Sequence, residues 1–228
     1  MPGPSDMYEY ESTEGRATRN PHVTVVTDPS RCKLCGKRGR HPSINVVPDQ
    51  LLPFFHASDD AWETRKLKED LAGVLGKAGA SASLGVEELL RIARWKLGSQ
   101  WGRVEGHLSQ LTEDLVRCVT GATLALSGHD LPDEIATRVS LDLLRSLPGV
   151  GMGVASAVLA LTLPDHYCVI DFRGWRALFH PQERREFTKA HYLTYRAGVI
   201  CLARQLDRSV QDVDHALWEL DRHRQASK

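Results

Sequence analysis

The sequence has no excess of either charge and no long apolar run. Lys and Arg together number 29, and Asp and Glu also number 29, so the formal net charge is zero. This balance excludes a uniform basic coat for non-specific nucleic-acid binding, but it leaves room for a local basic face. No apolar stretch approaches the roughly 20 residues that a membrane-spanning helix needs. We therefore expect no membrane partner.

The chain also lacks a pattern of paired cysteines. Its five cysteines are an odd number and are scattered. Residues 1–19 are polar and contain no apolar core, so we expect no secretory signal. These features predict a reducing compartment, the cytoplasm, or the nucleoid within it if the source is bacterial. There the cysteines would be buried, metal-bound or reactive rather than disulfide-bonded.

The composition is that of a soluble globular protein. The 228 residues are 42% hydrophobic and 25% charged, enough for one medium domain or two small lobes that share a cleft. Residues 1–58 are rich in polar residues, Pro and Gly, and we expect an irregular leader with a mobile start and one short strand at "VTVV". Residues 59–228 form the second predicted unit.

That second unit has helical periodicity throughout, which predicts an all-α fold. In "SLGVEELLRIARWKLG" the apolar residues recur at three- and four-residue spacings: Val86, Leu89, Leu90, Ala93 and Leu97. The stretch "RVEGHLSQLTEDLVRCVTGATLALSG" continues the period with Leu108, Leu111, Leu115, Val119 and Leu124. Further helices are expected to start after Pro132 and at Ser209, a plausible cap.

A glycine pair in "SLPGVGMGVASAVLAL" predicts a tight corner between two helices. Gly149 and Gly151 enclose Val150, and we expect backbone dihedrals there that no β-carbon tolerates. A helix that starts near Met152 would add free N–H groups and a partial positive charge, so the corner suits an anion such as a nucleic-acid phosphate. The alternative is a plain helix–turn–helix corner with glycine as the C-cap.

The segments "LPGVGMGVASAVLAL" and "VIDFRGWRAL", joined by a Pro-Asp loop, resemble the helix–hairpin–helix (HhH-GPD) superfamily of DNA base-excision glycosylases. This superfamily includes endonuclease III and adenine glycosylase. The resemblance covers residues 146–178 of the chain. It implies a two-lobed all-α fold over residues 59–228 and a hairpin that grips a DNA phosphate through backbone amides. Asp171 matches the catalytic aspartate of the family, and Arg176 matches the arginine five positions later.

The resemblance also implies a set of DNA-binding residues and some departures from the family. The DNA-binding set is Leu147, Pro148, Gly149, Val150, Gly151, Gly153, Arg173 and Arg176. Gly153 stands where bifunctional members carry a Schiff-base lysine, which implies no lyase activity through that position. Phe172 and Arg173 replace more usual residues. Only Cys201 lies near the C-terminus, which implies no iron–sulfur cluster, and no cofactor is expected.

Asp171 has two interpretations that can coexist. A carboxylate beside a sugar can stabilise oxocarbenium character and orient or deprotonate a water while an N-glycosidic bond breaks. Aspartate is also a preferred N-cap, and here it would cap the helix "FRGWRALF". Trp175, Phe179 and Trp218 are expected in the core.

"RCKLCGKRGRH" in the leader has the spacing of half a zinc knuckle. Cys32 and Cys35 would be two ligands, His41 a third, and His22 or His56 a fourth. Because there is no second cysteine pair, a reduced pair or a redox dithiol is favoured over zinc. The basic residues here also make the segment a candidate DNA-contacting arm: Arg31, Lys33, Lys37, Arg38 and Arg40.

Three functional hypotheses follow. The leading one is a monomeric, monofunctional DNA glycosylase that binds double-stranded DNA and hydrolyses the bond to a damaged or modified base. The alternative is a non-catalytic helix–hairpin–helix module that keeps the fold for DNA or protein association. The third is a helical scaffold in which the glycine corner is only a cap.

Overall fold

A computed structural model describes residues 44–55, 62–78, 82–179 and 184–227. Helices and no strands occur within these ranges, which confirms the all-α prediction for the part of the chain they cover. The predicted strand at "VTVV" and the segment with Cys32 and Cys35 lie outside the described residues. The end of the predicted irregular leader is a 3₁₀ helix, Pro48–Phe54, whose Leu51 is fully buried against α8 and α9, defined below.

The described α-helices follow one another with short connections. They are α1 (Trp62–Ala78), α2 (Val86–Leu97), α3 (Glu105–Leu108), α4 (Glu113–Ala125), α5 (Asp133–Arg145), α6 (Met152–Thr162), α7 (Phe172–Phe179), α8 (Lys189–Leu206) and α9 (Val210–Ala226). Two further 3₁₀ segments, Gly98–Arg103 and Leu126–Gly128, extend α2 and α4.

Helix α6 lies at the centre of the core. Every residue from Val154 to Leu161 is buried, because α6 packs against α1, α2 and α5. Small side chains such as Ala155 and Ala157 permit this close packing. Helices α7, α8 and α9 pack on one another, the Pro48–Phe54 segment packs on α8 and α9, and α5 contacts α8.

The predicted helix starts agree with the structure at two places. Pro132 directly precedes α5, whose first turn carries Asp133 and Glu134. The Ser209 hydroxyl accepts the Asp212 amide at 3.0 Å and caps α9. Side-chain oxygens at such positions satisfy amides that the helix itself leaves unpaired.

The apolar period that runs through residues 103–128 is divided between two helices in the structure. Thr112 adopts an extended conformation (φ −104, ψ 153) and caps a new helix, so α3 and α4 are separate. This break rotates the buried face of α4 to Val116, Val119 and the threonines that follow. Leu115, predicted on the apolar face, is therefore 41% exposed.

In the hairpin between α5 and α6, only one of the two glycines has a backbone conformation that requires glycine. Gly149 has φ 79, and a β-carbon there would lie 2.9 Å from Leu108 Cγ on α3. Gly151 has φ −82, which any residue adopts, and a β-carbon there would meet no atom within 4 Å. The prediction of forbidden dihedrals is thus correct for Gly149 and wrong for Gly151.

Substitutions at the two glycines should differ in their effect on the stability of the protein. Gly149→Ala is expected to lower the free energy of unfolding by about 1–2 kcal/mol or more, because alanine is strained at positive φ and must also displace Leu108. Gly151→Ser is expected to be neutral or slightly stabilising, because serine is a favoured N-cap. Urea denaturation measures both, and equal destabilisation would contradict this geometry.

Candidate active site

A cavity of about 460 Å³ opens where α1, α2, α7, α8 and α9 meet. Its wall combines two indole rings with acidic and basic groups, among them Trp95, Lys96, Asp171, Asp214, Trp218 and Arg222. The cavity therefore offers both flat apolar surfaces and charged groups to a ligand.

The segment 163–171, which leads into the cavity, is held by side chains from three helices, α6, α8 and α9. Backbone groups that no helix or sheet satisfies need such partners. The hydrogen bonds run from Arg196 Nε to the His166 carbonyl (2.7 Å), from Tyr192 Oη to the Cys168 carbonyl (3.1 Å), from the Val169 amide to Asp214 Oδ2 (2.7 Å) and from the Ile170 amide to Ser156 Oγ (3.1 Å). Because these bonds come from α6, α8 and α9, the end of the segment is fixed against the core.

Asp171 ends this segment and uses its two carboxylate oxygens differently. Oδ1 accepts the Gly174 amide at 2.8 Å, and the Asp171 carbonyl accepts the Trp175 amide at 3.0 Å, so Asp171 caps α7. Oδ2 lies 3.2 Å from Lys96 Nζ, and the side chain is 22% exposed at the cavity wall. The cap and the cavity-facing carboxylate are therefore both present.

Lys96 is a member of the site that the sequence analysis missed. It comes from α2, 75 residues before Asp171, and its side chain is only 12% exposed. It runs along the first turn of α6, where a β-carbon on Gly153 would lie 3.4 Å from Lys96 Cε. The missing side chain at position 153 thus leaves room for a lysine from another helix beside Asp171.

Asp214 is a second carboxyl group in the cavity, and it too was missed. Its Oδ1 accepts the Tyr195 hydroxyl at 2.6 Å, while Oδ2 accepts the Val169 amide. Burial raises the pKa of Asp214 to about 7, and the nearby Asp171 charge adds to this effect. Tyr195 reaches this place because Gly174 has no side chain: a β-carbon there would clash with the Tyr195 hydroxyl.

The aromatic residues divide between core and cavity. Trp175 and Phe179 are buried with ring centroids 4.4 Å apart, which confirms their predicted place in the core. Trp218, also predicted in the core, instead lines the cavity and is half-buried. Its ring has the Arg173 guanidinium 5.0 Å and the Arg222 guanidinium 5.5 Å from its centroid.

The hairpin residues of the predicted DNA-binding set differ in exposure. The side chains of Leu147 and Val150 are buried, Pro148 and Gly149 are half-buried, and Gly151 is exposed. No side chain caps the first turn of α6. Contact with a phosphate at this corner would therefore be made by backbone amides near Gly151.

Arg176 is paired with a buried carboxylate. Its Nε and Nη2 bond to Asp221 Oδ1 and Oδ2 at 2.6 and 2.7 Å, and the Asp221 side chain is 1% exposed. This bidentate pair joins α7 to α9 and gives Arg176 a structural role, and its contact with DNA stays a prediction. Arg173 is half-buried beside the cavity, where contact with DNA remains a prediction.

Phe172 is exposed next to Asp171. Its side chain is 42% exposed, and the guanidinium groups of Arg173 and Arg176 lie 5.4 and 5.7 Å from its ring centroid. A single exposed aromatic side chain is common on protein surfaces and does not by itself indicate a binding site.

The described residues contain no group of three or more His, Cys, Asp or Glu side chains placed to hold a metal ion. The cysteine pair Cys32 and Cys35 falls outside them, so the interpretation of that pair remains a prediction. Within the same ranges, no helix has the length and apolar character needed to span a membrane.

No protein-family model, curated protein or solved structure matches the chain. The resemblance to the glycosylase superfamily therefore rests on residues 146–178 alone. What the site can do must come from its own geometry: a capped aspartate with a lysine partner, a second carboxyl group, and two tryptophans around one cavity.

The buried carboxyl of Asp214 should make stability depend on pH. Its pKa is about 7 in the folded protein against an ordinary value of 3.8. The folded state then holds a proton that the unfolded chain has lost, so the contribution of Asp214 to the free energy of unfolding should fall as pH rises from about 4 to about 7 and level off above that.

Asp214→Asn should flatten this slope, because the amide does not titrate. Asp212→Asn, an exposed aspartate two residues earlier on α9, is the matched control and should retain the wild-type slope. Urea denaturation across this pH range gives the comparison. An Asp214→Asn protein with the full wild-type slope would contradict the assigned pKa.

Proposed function

We propose that the chain is a DNA glycosylase-like enzyme that hydrolyses the N-glycosidic bond of a damaged or modified base extruded from double-stranded DNA. The observation that carries the proposal is the Asp171 carboxylate, which caps α7 with one oxygen and presents the other to a cavity beside Lys96. The two-lobed helix–hairpin–helix fold, the monomeric state and a location on cytoplasmic DNA belong to the same proposal.

The chemistry assigned to Asp171 is electrostatic and basic. As the bond between the sugar and the base breaks, positive charge develops at C1′, and a fixed carboxylate stabilises it. The same oxygen can take a proton from the water that adds to C1′. The hydrogen bond from the Gly174 amide holds the carboxylate in one orientation, so little reorganisation is needed during the reaction.

Lys96 acts in this proposal as a positioning residue for Asp171. Its ammonium lies 3.2 Å from Oδ2 and is mostly buried. An ammonium has no free electron pair with which to attack the sugar, so while the ion pair persists we expect hydrolysis without lysine-based strand cleavage.

The cavity is suited to an extruded base. Enzymes that act on a base take it out of the stack, which costs a few kcal/mol, and hold it between aromatic or apolar side chains. Trp95 and Trp218 supply such surfaces, and the cavity volume of about 460 Å³ lies within the range of small-ligand sites, roughly 300–1,000 Å³.

The hairpin is proposed as the anchor on the DNA backbone. Leu147 and Val150 are buried and lock the turn into the core, while Gly151 exposes the start of α6 to solvent. Free amides and the helix dipole at this point favour a phosphate. Exposed Arg184 and Arg185 add positive charge to the segment that follows α7.

Asp171→Asn should keep the fold and lose turnover by about 10²–10⁴-fold. The asparagine oxygen can still accept the Gly174 amide, so the cap survives while the charge is removed. The assay measures release of free base from a panel of damaged duplexes. Asp165→Asn, an exposed aspartate of the same segment, is the matched control and should retain wild-type rates.

Equal turnover by Asp171→Asn and wild-type protein would overturn the assignment. Borohydride trapping on the same duplexes checks the strand-cleavage expectation: a covalent adduct that disappears in Lys96→Arg would contradict hydrolysis without lyase activity. Tight DNA binding with no base released by the wild-type protein would favour the non-catalytic binding module.

Gly151→Asp should weaken DNA binding while leaving the fold intact. Position 151 has open space and an extended backbone, and aspartate is a favoured N-cap, but its carboxylate would occupy the proposed phosphate site. Gly151→Asn, which is equally large and uncharged, is the control.

We expect about tenfold weaker binding for Gly151→Asp, together with a shallower dependence of affinity on salt, because about one phosphate contact is lost. Fluorescence anisotropy with a labelled duplex at several salt concentrations measures both quantities. Equal affinity of the two variants at every salt concentration would show that the hairpin does not hold the backbone.

A further inference from the structure

Asp214 is a titratable group in the cavity that the hydrolysis described above leaves without a role. It lies on α9, and it is half-buried with part of its surface on the cavity that Asp171 also lines. Enzymes that break glycosidic bonds commonly use two carboxyl groups, one as an acid and one as a base or stabiliser. Such pairs are recognised by environments that push the two groups toward different protonation states.

The environments of the two carboxyl groups differ in this way. Asp171 has the Lys96 ammonium 3.2 Å from one oxygen and a helix amide on the other. Asp214 has two neutral partners, the Tyr195 hydroxyl and the Val169 amide. Each oxygen of Asp214 keeps a lone pair beyond the bond it accepts, so a proton can sit on the side that faces the cavity.

We propose that Asp214 is the acid that protonates the departing base, and that the substrate is therefore a base that is uncharged while still attached to DNA. The inference rests on the proposed glycosylase function. In the reaction the electron pair of the C1′–N bond moves to the base nitrogen, and the base takes the Asp214 proton. Water adds its oxygen to C1′ and gives one proton to Asp171. Solvent then returns a proton to Asp214 and removes one from Asp171.

The restriction to neutral bases follows from the chemistry of the leaving group. A neutral base leaves as an anion unless it receives a proton, so an acid at the ring nitrogen or carbonyl lowers the barrier. A base that is already a cation, such as 7-methylguanine, leaves as a neutral molecule and gains little from an acid. A cavity built around a protonated carboxyl group is thus suited to the first class.

Several charged and titratable groups surround Asp214 and set its protonation. They are Lys96 on α2, Cys168 and Asp171 on the segment before α7, Tyr192 and Tyr195 on α8, and His215 on α9. Burial and the Asp171 charge raise the pKa of Asp214, the Tyr195 and Val169 hydrogen bonds and Lys96 lower it, and the balance is a pKa of about 7. The acid form is then present at neutral pH and is lost as pH rises.

The experiment compares wild type, Asp214→Asn, Tyr195→Phe and the control Asp212→Asn on duplexes that carry hypoxanthine, 8-oxoguanine, uracil or 7-methylguanine. Single-turnover base release is measured from about pH 5.5 to 9. The wild-type rate on a neutral base should fall as pH rises through about 7. Asp214→Asn should lose about 10²-fold or more on that base and lose the pH dependence, whereas release of 7-methylguanine should fall by a much smaller factor.

Tyr195→Phe provides a second variant that keeps the carboxyl group. Removal of the hydroxyl takes away a hydrogen bond that lowers the Asp214 pKa, so the fall in rate should move to higher pH. A purely structural Asp214 would lower rates on all bases alike and would not shift the profile.

The outcomes separate the inference from the function on which it rests. If the wild type releases a neutral base and Asp214→Asn and Tyr195→Phe show the same rate and pH profile, Asp214 is not the acid, but the proposed glycosylase function is unaffected. Release of 7-methylguanine alone overturns the substrate class. Release of no base at all, together with no difference between the wild type and Asp171→Asn in any assay, overturns the glycosylase and the inference with it.

Discussion

The site depends on the two roles of the Asp171 carboxylate, which binds the backbone with one oxygen and faces the cavity with the other. One oxygen starts α7 by accepting the Gly174 amide, and the other meets a lysine from α2. The cap fixes the orientation of the carboxylate, and the lysine fixes a positive charge beside the oxygen that faces the cavity. A group that only capped a helix would need neither a buried lysine partner nor a place on a cavity wall.

The surrounding helices hold the Asp171 carboxylate in this position. The segment 163–171 has no helix of its own, yet side chains of α6, α8 and α9 take up its backbone groups one after another. Asp214 is part of this support and is also open to the cavity. The same residue thus links the rigidity of the segment to the chemistry of the site, which is what precise positioning of a reacting group requires.

Local sequence patterns were sufficient to predict the structural features that depend on neighbouring residues. Periodicity and capping residues predicted an all-α fold and the starts of α5 and α9, and the glycine pair predicted the tight turn between α5 and α6. The unusual backbone dihedral predicted for Gly149 is present. Gly151 has an ordinary dihedral, and its lack of a side chain instead leaves open space at the start of α6. The break at Thr112 was missed because the apolar period continues across it, and only the extended backbone of the cap interrupts the helix.

The features that depend on distant contacts could not be derived from one sequence. Lys96 and Asp171 are 75 residues apart, and neither residue type nor spacing links them. Asp214 is one of several aspartates in an amphipathic helix, and only the packing of α9 shows that it faces a cavity while Asp212 faces solvent. The partner of Arg176 could not be derived either, because Asp221 lies 45 residues away and is buried.

The central claim is that Asp171 meets positive charge on the sugar of an extruded nucleotide, and it can be tested without knowing the base. The measurement is the affinity for a duplex with a cationic pyrrolidine in place of one deoxyribose, compared with a duplex that carries the neutral tetrahydrofuran analogue. The account predicts that the wild-type protein prefers the cationic duplex by at least about 10²-fold and that Asp171→Asn loses this preference. Equal affinity of the wild-type protein for the two duplexes would contradict it.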